Sequence, residues 1–179
     1  MPGTITVQLL VENKVEKRGL IAEHGLSYCI QSNGKTLLFD TGQGMALLNN
    51  ARALGIDLDQ VDKIALSHGH YDHTGGIDSF MARKYPPTLY AHPDAFQLKY
   101  VKDNCQKIRP VGIDILHKNI HTQENIRWVE KPTEMMQGIW LTGQIPRKTD
   151  FEAVSSRFYQ YEICHIPDPI LDDQSIYFF

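Results

Sequence analysis

The stretch that decides the fold is Ser67–Gly76, SHGHYDHTGG, in which His68, His70, Asp72 and His73 fall within six positions and Gly75-Gly76 follow directly. In an extended segment the side chains at i and i+2 point the same way, so His68 and His70, separated only by Gly69, can grip one cation together. Asp72 and His73 are neighbours and point apart in a strand. A turn after His70 swings both toward a second cation, and Gly75-Gly76 give the backbone room for that turn. Imidazoles with one carboxylate suit Zn²⁺ or another borderline first-row cation such as manganese or iron, whereas Ca²⁺ and Mg²⁺ want more oxygen ligands. The competing reading is a polar surface loop with incidental histidines. The H-x-H-x-D-H spacing directly after an apolar run argues for the metal.

Outward from this stretch, KIALS (63–67) reads as a short buried strand that delivers the histidines at its C-terminal end, and PTLYA (87–91) as the next strand. Upstream, LSYCIQ and TLLFD flank SNGK, where Asn33-Gly34 predicts a tight hairpin turn because both residues accept positive φ. TITVQLLV (4–11) alternates as a strand with one buried face. MALLNNARALG (45–55) predicts a helix with Leu47, Leu48, Ala51 and Leu54 on one face and Gly55 as its stop. IDSFMARKY predicts a helix, and so does HPDAFQLKYV, with Pro93 in its first turn. Beyond Lys102, IRWV, GIWLTG, RFYQYEI and DDQSIYFF read as strands, with a polar loop PRKTDFEAVSS between the second and third of these. The alternation of strands and helices predicts a mixed α/β layered fold in a single domain over residues 1–179.

Composition bounds the function classes. Of 179 residues 42% are hydrophobic and 22% charged, ordinary for a globular chain, and 18 Lys+Arg against 21 Asp+Glu give a formal net charge of -3. That balance supplies no electrostatic drive toward nucleic acid or an anionic membrane. No run approaches the ~20 apolar residues of a membrane span, and the N-terminal stretch lacks the pattern of a signal peptide, so a cytoplasmic location is expected. Cys29, Cys105 and Cys164 form no C-x-x-C pair and read as small, partly buried hydrophobes rather than a disulfide framework or thiolate site.

HGHYDH resembles the H-x-H-x-D-H signature of the metallo-β-lactamase superfamily, and LLFDTG places Asp40 at that superfamily's acidic position beside the metal loop. EHGLSY, AHPDAF, LTGQIPR, TDFE and PDPILDDQSI further resemble one branch, which includes an archaeal dihydropterin-linked ribofuranosylaminobenzene phosphate synthase and many bacterial relatives. The resemblance implies an αββα sandwich with two divalent metal ions at one edge. His68 and His70 hold the first, Asp72 and His73 the second, and Asp40 orients the loop from behind. On the residues alone, the competing and lesser reading of Asp40 is a turn former at a strand end.

The sequence departs from the family pattern after DDQSIYFF. There a GCSH-like turn contributes a further histidine and a later segment another ligand, and this sequence contains neither. The resemblance therefore implies the N-terminal portion of the fold with its C-terminal part missing, which agrees with an ending on Ile176, Tyr177, Phe178 and Phe179. An uncovered sheet face prone to self-association is expected with it. Cys164-His165 lies before the PDPILDDQ segment and takes no ligand role. His92, His117 and His121 read as ordinary surface or core histidines.

Two functions stay open on these grounds. One is a metal-dependent hydrolase that directs a metal-bound hydroxide at an ester, amide or phosphate centre of a small molecule, with Asp72 orienting the nucleophile or taking its proton. In it the Lys and Arg of PRKTD face an anionic substrate, and Glu23 and His24 either line the pocket or serve the fold. The other is a truncated, non-catalytic remnant, or one part of an enzyme completed by another chain. A di-iron oxygen- or nitric-oxide-reducing domain of the same fold fits less well, because resembling proteins carry glutamate where this chain has His70.

Overall fold

A computed structural model describes residues 4–103, 107–113, 124–149, 151, 155–163 and 165–179. The chain begins with β1 (Thr6–Val11), β2 (Ser27–Ser32) and β3 (Lys35–Phe39), an antiparallel meander. Asn33 and Gly34 take φ of 50° and 71°, the left-handed turn that their side chains allow and that joins β2 to β3. Helix α1 (Met45–Ala53) returns the chain to β4 (Lys63–Ala65), which pairs parallel with β3. Next come the single turns α2 (Tyr71–Thr74) and α3 (Asp78–Met81), and β5 (Thr88–Ala91), parallel to β4.

The later strands are β6 (Tyr100–Lys102), β7 (Ile108–Pro110), β8 (Ile126–Trp128), β9 (Thr133–Met136), β10 (Ile139–Leu141), β11 (Phe158–Tyr159) and β12 (Ile176–Phe178). They complete a six-stranded sheet in the order β1-β2-β3-β4-β5-β8, and form two small sheets, β12-β10-β9 and β11-β6-β7.

The central strands of the large sheet are buried on both faces. One face packs Leu38, Ile64 and Leu89 against α1 and α3 through Leu47, Ala51, Ile77 and Phe80. The other packs Leu37, Phe39, Ala65 and Tyr90 against Ile139, Leu141 and Met136 of the β12-β10-β9 sheet. Helix, sheet and sheet thus stack as three layers of a mixed α/β fold, and no described helix contributes to the second cluster. On β1, Val7 and Leu9 share the face of Ile5, which packs on that second cluster, yet they stay 50% and 41% exposed. The alternation in TITVQLLV therefore marks a strand whose inner face is only partly covered.

Three local expectations are corrected. Leu48 points outward, 51% exposed, and the buried face of α1 is Ala46, Leu47, Asn50 and Ala51. Asn50 earns its place in that face through its amide, which donates to Leu10 O and Ile21 O and accepts from Ile21 N, tying the loop after β1 to the helix. HPDAFQLKYV is not one helix: Pro93–Phe96 makes a single 3₁₀ turn capped by the His92 ring, and the chain then extends into β6. IDSFMARKY yields only the four helical residues of α3.

The inward and outward leucines of α1 give a direct test. Leu47→Ala is expected to cost about 2–5 kcal/mol in chemical denaturation, and Leu48→Ala to stay within about 0.5 kcal/mol.

Candidate metal centre

The candidate ligands sit beyond the C-terminal ends of β3, β4 and β5, the edge where open α/β sheets present their sites. Asp40 leaves β3 with φ of 62°, a left-handed conformation that aspartate tolerates, and its carboxylate is fully buried. It accepts from Ser67 N and Ser67 Oγ, each at 2.7 Å, and from His73 Nδ1 at 2.7 Å. With its hydroxyl proton given to Asp40, Ser67 Oγ accepts from His68 Nδ1 at 2.9 Å. Both imidazoles are therefore held by Nδ1 and present Nε2 outward from the loop.

The four motif side chains come together in pairs. His68 Nε2 lies 3.1 Å from His70 Nδ1, with the rings edge to face at 4.7 Å. After His70 the turn α2 brings His73 Nε2 within 3.7 Å of Asp72 Oδ2, and the His68 and His73 rings stand 4.2 Å apart. Two nitrogens bound to one tetrahedral zinc at 2.0–2.1 Å are separated by about 3.3 Å. The spacing within each pair is close to that. His70 Nε2 is buried with no hydrogen-bond partner, as suits a ring whose orientation is not set by protein partners alone. The donors thus fit a borderline divalent cation, two by two. Among the described residues no three His, Cys, Asp or Glu side chains are arranged to hold one ion.

The glycines after the motif act differently from the sequence expectation. Neither takes positive φ. A Cβ on Gly75 would stand 2.6 Å from Gln43 O, and one on Gly76 2.7 Å from Thr41 O. Their role is to let the Thr41–Gln43 loop press against the turn. That contact is sealed by Thr41 N to His73 O at 2.7 Å and Gly75 N to Gly42 O at 2.8 Å.

EHGLSY divides between the two roles the sequence left open. Glu23 serves the fold: it accepts from Gln43 N and Ala46 N and so caps the start of α1. His24 faces the site, with Nε2 3.2 Å from Asp72 Oδ2 and Nδ1 2.8 Å from Asn13 Oδ1. It lines a cavity of about 150 Å³ together with His70, Asp72, Arg109, Arg157 and Phe158. Phe158 stacks 4.7 Å from the His70 ring. Arg147 of PRKTD does not face this cavity and pairs with Asp173 at 3.1 Å. His92 is buried, His165 is exposed, and His117, His121, Cys105 and Cys164 lie outside the described residues. Burial pushes the Cys29 thiol up to about 11, which makes it inert.

Sequence reasoning missed what lies beneath the motif. Gly69 N donates to Asp172 Oδ2 at 2.7 Å, and Lys99 Nζ bridges Asp172 at 2.9 Å and Asp168 at 3.1 Å, all three side chains buried. Gln174 adds N to Ser67 O and Nε2 to Leu66 O, both at 2.9 Å. PDPILDDQSI was visible as a shared motif, but nothing local in it points to Gly69.

The metallo-beta-lactamase superfamily model matches residues 20–156. The chain belongs to that superfamily. Among curated proteins, it is 32% identical over 148 residues to MJ0448 of Methanocaldococcus jannaschii, covering 82% of this chain and 56% of that protein. It is also 34% identical over 142 residues to the 7,8-dihydropterin-6-methyl-4-(beta-D-ribofuranosyl)-aminobenzene-5′-phosphate synthase of the same organism, covering 73% of this chain and 48% of the synthase. The chain thus spans about half the length of the curated relatives it matches. Tm1679, described as a metal-dependent hydrolase of the beta-lactamase superfamily, superposes with a TM-score of 0.73 at 26% identity, over 97% of this chain and 60% of that one. The metallo-beta-lactamase fold expected from HGHYDH and LLFDTG is therefore present. Among the described residues no helix is long and apolar enough to cross a membrane.

The electrostatics separate the histidines. Burial lowers His68 well below the ordinary histidine value, with the neighbouring His73 and His70 and Lys99 adding to it; burial and Lys99 also lower His70. Burial works against the His73 cation too, but the hydrogen bond to Asp40 and its charge outweigh it and raise the group. NMR titration of the metal-free chain is expected to find His73 above about 6.5 and His68 and His70 below it. Asp40→Asn is expected to bring His73 down. A group raised by a partner stabilises most below its unfolded pKa, and that share is lost as pH rises through its folded value. His68 and His70 act oppositely, so their share is lost as pH falls below about 6.5.

Proposed function

We propose that this chain is a metal-dependent hydrolase acting on an ester, amide or phosphate-type bond of a small anionic molecule. In this reading His68 and His70 hold one divalent cation and Asp72 and His73 a second. Zinc is the first choice, with manganese or iron according to supply. The observation that carries it is the pairing of donors at 3.1 Å and 3.7 Å around nitrogens whose opposite edges are tied to Ser67 and Asp40. The description of Tm1679 as a metal-dependent hydrolase supports the reaction class.

When bound, such cations supply Lewis acidity toward a carbonyl or phosphoryl oxygen and make water acidic enough to ionise near neutral pH. The protein's own residues do the rest. Asp72 orients the nucleophile and accepts its proton, and His24, mostly exposed and 3.2 Å away, passes that proton to solvent. Arg109 and Arg157, in the same cavity as His70 and Asp72, face the anionic part of the substrate, a role the sequence had given to PRKTD. The 5′-phosphate in the name of the M. jannaschii synthase accords with that charge. Phe158 covers one side of the His70 ring and keeps water from it.

A second reading is favoured by the arrangement of donors in twos, where catalytic zinc generally has three protein ligands. In it the chain is one part of an enzyme whose other ligands come from another polypeptide, and the half-exposed Val7 and Leu9 belong to the surface that joins them, or that joins two copies of this chain.

The test is to strip the purified chain with a chelator, restore zinc, manganese or iron(II), and screen phosphoesters, lactones and thioesters. Metal-restored turnover is expected, with Asp72→Asn lowering kcat/KM about 10²-fold or more. Arg109→Gln and Arg157→Gln are expected to raise KM for anionic substrates and leave kcat nearly unchanged. Metal retained without turnover supports the second reading, and a chain that neither binds nor turns over with any of the three metals refutes the hydrolase.

A further inference from the structure

Lys99, Asp168 and Asp172 form a buried charge cluster that the proposed reaction does not use. Each is at most 5% exposed, and they come from the segment before β6 and from the PDPILDDQSI segment, more than 60 residues apart. Taking three charges out of water is costly unless each is paired and bonded. Here the pairing is nearly complete. Lys99 Nζ bonds both carboxylates, Asp168 Oδ1 accepts from Ile170 N, and Asp172 Oδ2 accepts from Gly69 N at 2.7 Å. The Asp172 bond leaves the cluster for the residue between His68 and His70.

Gly69 is also packed closely at its Cα, since a Cβ there would stand 1.9 Å from Ala95 O. A residue bonded through its N–H and pressed against neighbouring backbone has little freedom to move. A shift of it would disturb the 3.1 Å spacing between His68 Nε2 and His70 Nδ1, the two residues it links. Asp40 and Ser67 hold His68 and His73 through their rings. The His70 ring, whose Nε2 has no hydrogen-bond partner, touches only the His68 and Phe158 rings among these contacts, so its backbone carries more of its placement.

We propose that Asp172, held in place by its bond to Lys99, is a positioning residue that sets the His68–Gly69–His70 segment in its paired geometry. The inference rests on the reading of those histidines as metal ligands, but it concerns their placement and can be tested with and without metal. It gives PDPILDDQSI a physical task that its sequence alone does not disclose.

The experiment compares the full-length chain with Asp172→Asn, and with the triple variant Lys99→Gln/Asp168→Asn/Asp172→Asn, which leaves no unpaired buried charge should the single variant fail to fold. Asp62→Asn, which loses the remote Lys35 pair, serves as a control for general destabilisation. Two readouts are taken: imidazole resonances of metal-free protein by ¹H–¹⁵N NMR, and zinc affinity by competition with a chromophoric chelator. In a folded Asp172 variant the His68 and His70 resonances are expected to move and zinc affinity to fall about 10- to 100-fold, as for outer partners of metal ligands. Asp62→Asn should change neither. Unchanged His68 and His70 resonances in a folded variant overturn the proposal, as does wild-type zinc affinity in a folded variant of a zinc-binding chain. If the wild-type chain binds none of zinc, manganese and iron(II) while the resonances still move in the variant, the positioning role stands and the hydrolase reading falls.

Discussion

The site depends on one buried carboxylate. Asp40 is inaccessible to water, sits in a left-handed conformation at the end of β3, and accepts three short bonds from Ser67 and His73. An ionised carboxyl in that position is costly unless its lone pairs are filled. The backbone and hydroxyl of Ser67 and the His73 ring fill them. In return Asp40 fixes the start of the motif at Ser67 and its end at His73, so the five residues between cannot relax independently. Its burial raises its own pKa, and its hydrogen bond to His73, together with its charge, raises that histidine above its ordinary value.

Around that anchor the polypeptide closes from several directions. The Thr41–Gln43 loop presses on Gly75 and Gly76, Leu26 N reaches Asp72 O at 3.4 Å, and Gly25 is there because a side chain would meet the same carbonyl at 2.2 Å. From below, Gln174 and Asp172 hold the backbone of Leu66, Ser67 and Gly69. Strand β12 follows directly and lies on the second sheet, so the packing of β12 against β10 and the anchoring of the motif are parts of one arrangement. This connects the second hydrophobic cluster to the geometry of the candidate ligands.

Much of the fold was legible because its signals are local. Asn33-Gly34 marks its turn through its own dihedral preference, KIALS and PTLYA are short apolar runs that become central parallel strands, and H-x-H-x-D-H carries its chemistry in its spacing. The errors come where the deciding partner is distant. Leu48 has the right spacing for the buried face of α1, but Asn50 takes a place in that face by bonding Leu10 and Ile21. HPDAFQLKYV has a good helix start at Pro93, yet pairing of β6 with β7 and β11 overrides propensity after Phe96. Lys99 and Asp172 read as ordinary charges in sequence, and only tertiary structure places both beneath Gly69. Ser67 could have been noticed, since a small hydroxyl residue directly before His68 is within reach of the acidic strand end.

The family match covers residues 20–156, while the residues that anchor the motif from below, Asp168, Asp172 and Gln174, lie beyond it. Membership therefore gives the fold, and the side-chain network explains why the H-x-H-x-D-H segment holds its shape. The most direct measurement is anomalous diffraction at the zinc edge from crystals of the full chain equilibrated with zinc. The account predicts two neighbouring peaks, one against His68 Nε2 and His70 Nδ1 and the other against His73 Nε2 and the Asp72 carboxylate, with Asp40 still bonded to His73 Nδ1. Zinc found only elsewhere on the surface, or imidazoles turned away from one another into solvent, would contradict it.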